Sequence, residues 1–255
     1  MLNKKDEQKN INENQLEGRN AVLELLKSGK DVDKIIVAKG NVEGTIKRII
    51  GEASRKGIVI QEVARQKLDE ISQTKNHQGV IAIASAHSYA TVEEILENAA
   101  SKNEPPFIII LDGITDPHNL GAIMRTAECA GAHGIIIPKR RSVGLTAVVG
   151  KTSAGAIEYM PVAKVTNISN TIEELKEKGV WIASTDMDGE TYFNADLKGP
   201  IAIVIGAEGD GVSRLVKEKC DFNVSIPMYG NISSLNASVA AGLIMYEIVR
   251  KRKFL

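Results

Sequence analysis

Two acidic residues and three glycines share one short segment, residues 206–211, and together they favour a particular kind of ligand. Glu208 and Asp210 follow an apolar run and stand among the glycines. Glycines let the main chain approach a bound molecule closely, but their order differs from the G-x-G-x-x-G of dinucleotide sites. The carboxylates would repel a pyrophosphate and attract a cation. The segment therefore suits S-adenosylmethionine, a cationic sulfonium without phosphate, better than NAD or ATP.

A second polar segment, residues 112–121, runs into a helical pattern that carries Arg125. Asn119 stands where a helix N-cap is expected, and the apolar residues after it form one face of the helix. Arg125 falls outside that face and is available to contact a ligand. A capped helix with a solvated arginine would explain the same pattern.

A third segment, residues 225–238, holds more short polar side chains than a helix start requires. Ser233, Ser234 and Asn236 crowd the residues before the last helical pattern, although one cap would suffice for folding. The excess points to a binding role as strongly as to a structural one.

Each of these segments follows or contains an apolar run of the kind that forms a buried strand. Such runs alternate with helical patterns, which is typical of a parallel sheet covered by helices on both faces. Because ligands of such sheets bind at the carboxyl ends of the strands, we expect an α/β fold whose functional residues meet at one edge. The predicted strands are residues 107–111, 134–137, 180–184, 201–205 and 222–226, and the predicted helices are 120–130, 168–178, 212–220 and 234–251.

The chain is predicted to form two domains. Alternating helical and strand patterns upstream indicate a small α/β domain, and a polar stretch that ends in Pro105 and Pro106 indicates the boundary. Thr91 is a suitable N-cap for a short helix just before that stretch. We expect a disordered tail at residues 1–15, a small domain at 16–90, a linker at 91–105 and the main domain at 106–255.

Composition excludes several classes of protein. Hydrophobic residues make up 43% and charged residues 25%, as in ordinary globular proteins, and the apolar runs are too short to span a bilayer. The polar N-terminus lacks the apolar core of a secretory signal, so we expect a cytoplasmic protein without membrane association. The two cysteines and four histidines show no metal-ligand spacing, so we expect no metal.

Net charge gives no sign of a nucleic-acid partner. Lys and Arg total 32 and so do Asp and Glu, so any affinity for phosphate must come from local clusters. One cluster, Lys139-Arg140-Arg141, follows a predicted strand, but runs this short are more often solvated surface than binding sites.

Three long motifs nevertheless occur in order in the second half of the chain. They read D-x-x-x-D-P-x-N-x-G-x-x-x-R from Asp112, G-x-E-x-x-G from Gly206 and I-P-M-x-G-x-x-x-S-L-N-x-S from Ile226. Over residues 106–251 the sequence resembles the SpoU/TrmH family of RNA 2′-O-ribose methyltransferases. Residues 18–22 and 77–80 resemble the substrate domain of many members, which is similar to ribosomal protein L30e.

The resemblance implies a knotted C-terminal sheet, a homodimer, S-adenosylmethionine as cofactor and structured RNA, not DNA, as substrate. The branch that the sequence resembles most methylates a guanosine of bacterial 23S rRNA. We expect Arg125 to hold a phosphate and favour the developing alkoxide, because a guanidinium does not act as a base in proteins. By resemblance, the catalytic positions are Asn119, Arg125, Glu208, Ser234 and Asn236, and the positions that contact the cofactor are Gly206, Ile226 and Leu235.

Three alternatives stay open beside an rRNA methyltransferase. A tRNA methyltransferase of the same family would carry the same motifs. A non-catalytic RNA-binding protein with this fold would not need Arg125 and Glu208, which argues against that alternative. A nucleotide-binding oxidoreductase would need the dinucleotide fingerprint that the sequence lacks.

Overall fold

The computed structural model describes residues 14–40 and 43–254, and the chain divides between Ser88 and Tyr89 into two compact units. The predicted tail, residues 1–15, lies outside the described residues except for its last two, and Gln15 already begins a strand. No helix in the described part of the chain is long and apolar enough to cross a bilayer.

The first unit is a four-stranded mixed sheet with helices packed on it. Its elements are β1 (Gln15–Glu17), α1 (Arg19–Lys27), β2 (Val32–Ala38), α2 (Thr45–Arg55), β3 (Val59–Val63), α3 (Arg65–Ile71) and β4 (Val80–Ala84). The strand order is β1-β4-β2-β3, with β2 and β3 parallel and β4 antiparallel to both of its neighbours. α2 packs on the sheet through Ile46, Ile49 and Ala53, which recur at helical spacing.

The second unit is a six-stranded sheet with the order β10-β8-β9-β5-β6-β7, in which all neighbouring strands are parallel. A short 3₁₀ turn, Ala156–Glu158, precedes β7. The strands are β5 (Phe107–Asp112), β6 (Gly134–Pro138), β7 (Val162–Val165), β8 (Trp181–Thr191), β9 (Ile201–Gly206) and β10 (Phe222–Ser225). The helices are α4 (Val92–Ser101), α5 (Pro117–Cys129), α6 (Ala147–Thr152), α7 (Ile168–Glu177), α8 (Arg214–Lys217) and α9 (Ala237–Phe254).

Helices cover both faces of the second sheet, as the sequence pattern predicted. Successive residues of β5 point to opposite faces, so that Ile109 packs with α5 and α9, whereas Ile110 packs with α4 and α7. Both residues are fully buried. The continuous Ile/Val runs that predicted a doubly covered parallel sheet therefore form one, and this prediction is confirmed.

The short helix predicted after Thr91 forms as α4, and because it packs in the core of the second unit, residues 92–101 belong to that unit and not to a linker at 91–105. Thr91 caps this helix through a capping box with Glu94, and Val92, Ile95 and Ala99 are buried. The apolar spacing of α4 was thus a better guide to the structure of this stretch than the two prolines that follow it. Two short elements of the second unit, α6 and β7, were not predicted, because neither is long enough for its periodicity to stand out.

Glu17, at the end of β1, holds together a loop of the first unit. Its carboxylate accepts hydrogen bonds from Ser72 Oγ at 2.7 Å, from the Gln73 main-chain N–H at 2.5 Å, from Gln15 Nε2 at 2.7 Å and from the Thr74 hydroxyl. Burial raises the pKa of Glu17, but these hydrogen bonds together outweigh it and lower the pKa from 4.5 to about 2.

We expect Glu17→Gln to destabilise the first unit at pH 7 and to matter less as the pH falls. Because the pKa of Glu17 is lower in the folded chain, its ionised carboxylate stabilises the fold at pH values above 4.5, the pKa in the unfolded chain. This stabilisation disappears as the pH falls through about 2. Hydrogen exchange of the β4 amides in the full chain would follow the first unit, since the single tryptophan, Trp181, lies in the second. Glu24→Gln, at an exposed residue paired with Lys27, is the control, and a pH-independent effect of Glu17→Gln would contradict the prediction.

Candidate active site

Two of the three polar segments leave the sheet side by side. β5 and β9 are adjacent central strands, and their last residues, Asp112 and Gly206, are register partners. Asp112 also accepts a hydrogen bond from the Ser213 main-chain N–H at 2.8 Å, which ties it to the end of the loop that follows β9. The strand register therefore brings together two segments that are about ninety residues apart, at the edge where ligands of parallel sheets bind.

Three predicted site residues converge at this edge, and we call them the amide–carboxylate cluster: Asn119, Glu208 and Asn236. Glu208 Oε1 accepts from Asn119 Nδ2 at 3.2 Å, from Asn236 Nδ2 at 2.5 Å and from the Ala237 main-chain N–H at 3.3 Å. Asn236 Nδ2 also donates to Asn119 Oδ1 at 2.9 Å. The cluster thus joins all three motif segments through hydrogen bonds.

Asn119 can reach the cluster because it is not the helix cap that its position suggested. Asp116 caps α5 by accepting from the His118 main-chain N–H at 2.9 Å, and Pro117 occupies the first helical position. Asn119 therefore lies within the first turn, 9% exposed, with its side chain directed at Glu208. The predicted N-cap role was wrong, because the Asp-Pro pair before it is the stronger start signal.

The loop that carries Glu208 is compact because of its glycines. Ala207 and Gly211 exchange main-chain hydrogen bonds of 3.2 and 2.9 Å, and Gly211 has a φ of 68°. A Cβ on Gly206 would lie 2.1 Å from the carbonyl carbon of Gly211. Any side chain at position 206 would force this loop away from the end of β9, so the loop requires a glycine there, and the predicted contact of Gly206 with the cofactor stays a prediction.

Two cavities flank this loop. The first, which we call the polar cavity, measures about 470 Å³, and the second, the apolar cavity, about 360 Å³. Asn119, Glu208, Arg140 and Arg141 line the polar cavity, together with Asp112 and Asp116. Ala207, Asp210 and Gly211 contribute to both cavities, so the loop is the wall between them.

The apolar cavity has the charge that suits a cationic ligand. Its lining contains Asp186 and Asp210 but no lysine or arginine. The hydrogen bond from Lys217, 2.5 Å away, lowers the pKa of Asp186 and keeps its carboxylate ionised. The remaining lining is mostly aliphatic and hydroxyl-bearing: Thr185, Met187, Gly209, Val212, Val224, Ile226, Met228, Ser233, Ser234, Leu235 and Ala240.

The other predicted site residues take different positions. Ile226, Ser234 and Leu235 line the apolar cavity, so Ser234 lies beside the predicted cofactor contacts and outside the cluster. Arg125 lies on the exposed side of α5, and its guanidinium makes no hydrogen bond or ion pair with the residues that the structure describes. Five of the eight predicted positions therefore line the two cavities, and Asn236 is hydrogen-bonded to two residues of the polar cavity. Gly206 ends β9 just before the loop between the cavities, and Arg125 lies apart.

Sequence reasoning missed the arginines of the polar cavity. Arg140 and Arg141 follow the last residue of β6, Pro138, and lie at the same edge of the sheet as Asn119 and Glu208. The rule that functional residues follow the strands would have selected them, but the run was interpreted as solvated surface. The expectation of a metal-free site rests on sequence alone; in the described residues no group of three potential ligands is close enough to hold a metal ion.

Residues 106–246 match the sequence model of the SpoU rRNA Methylase family, and residues 15–90 match that of RNA 2′-O ribose methyltransferase substrate binding. The Bacillus subtilis protein YacO, assigned to the TrmH family of tRNA/rRNA methyltransferases, is 54% identical over 92% of this chain and 94% of its own length. A Staphylococcus aureus relative with the same assignment is 48% identical over 92% of this chain and 95% of its own.

Solved structures share the fold. The SpoU methyltransferase AviRb from Streptomyces viridochromogenes, in complex with AdoMet, aligns with a TM-score of 0.58 at 23% identity, over 93% of this chain and 89% of that one. The TrmH/SpoU tRNA modifying enzyme of A. aeolicus aligns with a TM-score of 0.54 at 29% identity, over 59% and 77% respectively.

Glu208→Ala and Glu208→Gln should separate the structural role of Glu208 from its charge. The alanine variant leaves the buried Asn119 amide without an acceptor, which should lower the free energy of unfolding by about 1 to 3 kcal/mol. The glutamine variant retains Oε1 as an acceptor and should lose much less. Urea unfolding followed by Trp181 fluorescence measures both variants, with Asp210→Ala in the same loop as the control. Equal losses for the two Glu208 variants would show that the hydrogen bonds do not stabilise the fold.

Proposed function

The chain belongs to the SpoU rRNA Methylase family, and from this premise we propose that it transfers a methyl group from S-adenosylmethionine to a ribose 2′-hydroxyl of RNA. The observation that carries the proposal is the arrangement of two cavities on either side of one loop. One cavity suits a cationic cofactor, the other contains arginines, and the amide–carboxylate cluster lies where they meet. A transferase that brings a cofactor to an RNA needs both binding regions next to each other.

The apolar cavity fits S-adenosylmethionine on the chemistry of its lining. Ile226 and Leu235 offer aliphatic surface for a purine ring, and Ser233 and Ser234 offer hydroxyls for a ribose. Asp210 provides a carboxylate for a cation, whereas Asp186 is paired with Lys217, and no basic side chain lines the cavity to bind the phosphates of NAD or ATP. When bound, S-adenosylmethionine supplies the methyl group as an electrophile.

The chain's own residues would position the ribose and favour loss of its proton. Asn119 and Glu208 face the polar cavity, with amide and carboxylate groups that can hydrogen-bond to a ribose hydroxyl. Asn236 fixes both of them by donating to Asn119 Oδ1 and Glu208 Oε1. Holding two reactants in the correct orientation lowers a reaction barrier by up to about 7 to 11 kcal/mol. Holding the hydroxyl in place is therefore the main task that we assign to the cluster.

A homodimer would give the exposed Arg125 a place in this scheme. α9 presents Val239, Leu243 and Tyr246 to solvent at helical spacing, and Gly242 lies next to Thr126, the neighbour of Arg125. We propose that a second copy covers this stripe and that Arg125 then contacts RNA bound across the pair. The trefoil knot that the resemblance implies stays a prediction.

We propose that the substrate is a guanosine of 23S rRNA and that residues 14–88 select the RNA. Their match to a substrate-binding model supports that role, which would rest on recognition of RNA shape and 2′-hydroxyls. The names of the relatives cover both tRNA and rRNA, and both kinds of enzyme carry the motifs, so the choice of rRNA rests on the branch that the sequence resembles most.

Tritiated S-adenosylmethionine and unmodified transcripts of 23S rRNA and tRNA test the function. We expect the full chain to form 2′-O-methylguanosine in the rRNA only, and EDTA to leave cofactor binding unchanged, because the candidate cofactor residues supply no metal-ligand set. Methylation of tRNA alone would overturn the choice of substrate. Cofactor and RNA binding without transfer to either RNA would favour the non-catalytic alternative.

Arg125→Ala should fold normally and bind S-adenosylmethionine, but lose methyl transfer by a factor of at least about 100. Arg125 is exposed, so its removal costs little packing, and about 100-fold is the scale for loss of one preorganised electrostatic group. Arg125→Lys should restore little, because an ammonium cannot reproduce the two-pronged contact with a phosphate. Single-turnover transfer, cofactor titration and thermal melting measure the three properties, with Glu128→Ala on the same helix as control. Near-normal transfer by Arg125→Ala would contradict a catalytic role.

A further inference from the structure

Arg140 and Arg141 lie in the polar cavity opposite the residues that are proposed to orient the ribose. They belong to the loop after β6, and both side chains are exposed to solvent within the cavity that Asn119 and Glu208 also line. This loop is firmly attached on either side of the two arginines. The Lys139 main-chain N–H donates to Val165 O at 2.8 Å, Val143 N–H donates to Ile114 O at 3.0 Å, and the Ser142 hydroxyl donates to Pro138 O.

The backbone of Arg141 adopts an unfavourable conformation. Its φ is 58°, in the left-handed region that residues other than glycine, asparagine and aspartate rarely occupy. Such a conformation is strained and persists only where the surroundings enforce it. The hydrogen bonds on either side of the two arginines enforce this conformation, and it places two successive arginines at one cavity.

Neither guanidinium has a partner among the residues that the structure describes, although carboxylates share the cavity. Three of the four carboxylates bind main-chain and amide donors instead: Asp112 accepts from Ser213 N–H, Asp116 from His118 N–H and Glu208 from the cluster. The fourth, Asp210, lies on the loop that separates the two cavities and lines both of them. Each arginine therefore keeps its five N–H donors available for an anion that comes from outside the chain.

We propose that Arg140 and Arg141 together bind one phosphate of the substrate RNA beside the target ribose. This inference rests on the proposed function and deepens it. Planar guanidinium groups match the oxygens of a phosphate, and a phosphodiester carries a single charge that the acidic neighbours tolerate better than a di- or triphosphate. The cofactor is proposed to bind on the other side of the 207–211 loop, which leaves the RNA as the source of the anion.

The test compares Arg140→Gln, Arg141→Gly and the double variant in the full chain. Glycine adopts a positive φ without strain, so Arg141→Gly should melt at the same temperature as wild type or higher. A double replacement at two exposed lysines, Lys178→Gln with Lys198→Gln, removes the same charge away from the site and is the matched control. The measurements are the affinity for unmodified 23S rRNA and tRNA transcripts at several salt concentrations, the affinity for S-adenosylmethionine, and methyl transfer.

Each single variant should weaken RNA binding about tenfold at unchanged cofactor affinity. In the double variant, the negative slope of log affinity against log salt should become shallower by about 0.7 to 0.9, which corresponds to the loss of one phosphate contact. The lysine control should leave the slope unchanged. If wild type methylates RNA and the double variant has the same slope as wild type, only this inference is overturned. Lowered cofactor affinity with normal RNA binding in the variants would overturn it as well. If wild type neither binds nor methylates RNA, the proposed function fails and the inference fails with it.

Discussion

Glu208 Oε1 accepts hydrogen bonds from two other segments of the chain, and the geometry of the candidate site depends on these bonds. Asn119 arrives from the first turn of α5, and Asn236 and the Ala237 main chain arrive from the start of α9. Each segment alone would be a loop or helix start at the edge of a sheet. Because the three segments meet at one oxygen, they fix the 207–211 loop in place. The loop then forms a wall that is common to both cavities.

The sheet makes this junction possible through its register. Asp112 and Gly206 are paired at the ends of neighbouring strands. The segment that leads into α5 and the glycine loop therefore begin side by side. The absence of a side chain at Gly206 then lets Gly211 fold back against the strand end. A parallel sheet gives the same direction to every strand, so the residues that follow the strands accumulate at one edge while the buried Ile and Val residues below them provide stability.

The sequence was sufficient to predict five of the six strands of the sheet, because runs such as residues 107–111 and 201–205 are short, rich in β-branched residues and bounded by proline or glycine. It also selected residues from all three segments that line the two cavities, among them Asn119, Glu208 and Ile226. The cap of α5 was open to prediction from the sequence, because a proline is favoured at the first helical position and Pro117 therefore marks Asp116, not Asn119, as the cap. The linker prediction failed because α4 ends at Ser101, before the prolines at 105 and 106, and its buried residues such as Ile95 pack against the second sheet, which the sequence pattern alone does not show.

Charge was the least predictable property. A chain with 32 basic and 32 acidic residues has no net attraction for RNA, so an RNA-binding site must come from the way charges pair. In the described residues many lysines and arginines form surface ion pairs, for example Lys67 with Glu70 and Arg214 with Glu218, and these pairs contribute little to a long-range field.

Arg140 and Arg141 differ from those pairs, because three of the four carboxylates in their cavity bind main-chain and amide donors instead of the guanidinium groups. A neutral protein can thus keep a local excess of positive charge, provided that its acidic neighbours have other donors. The hydrogen bonds that build the site from Asp112, Asp116 and Glu208 supply those donors. The hydrogen bonds that shape this edge of the sheet therefore also leave the two arginines available for an anion.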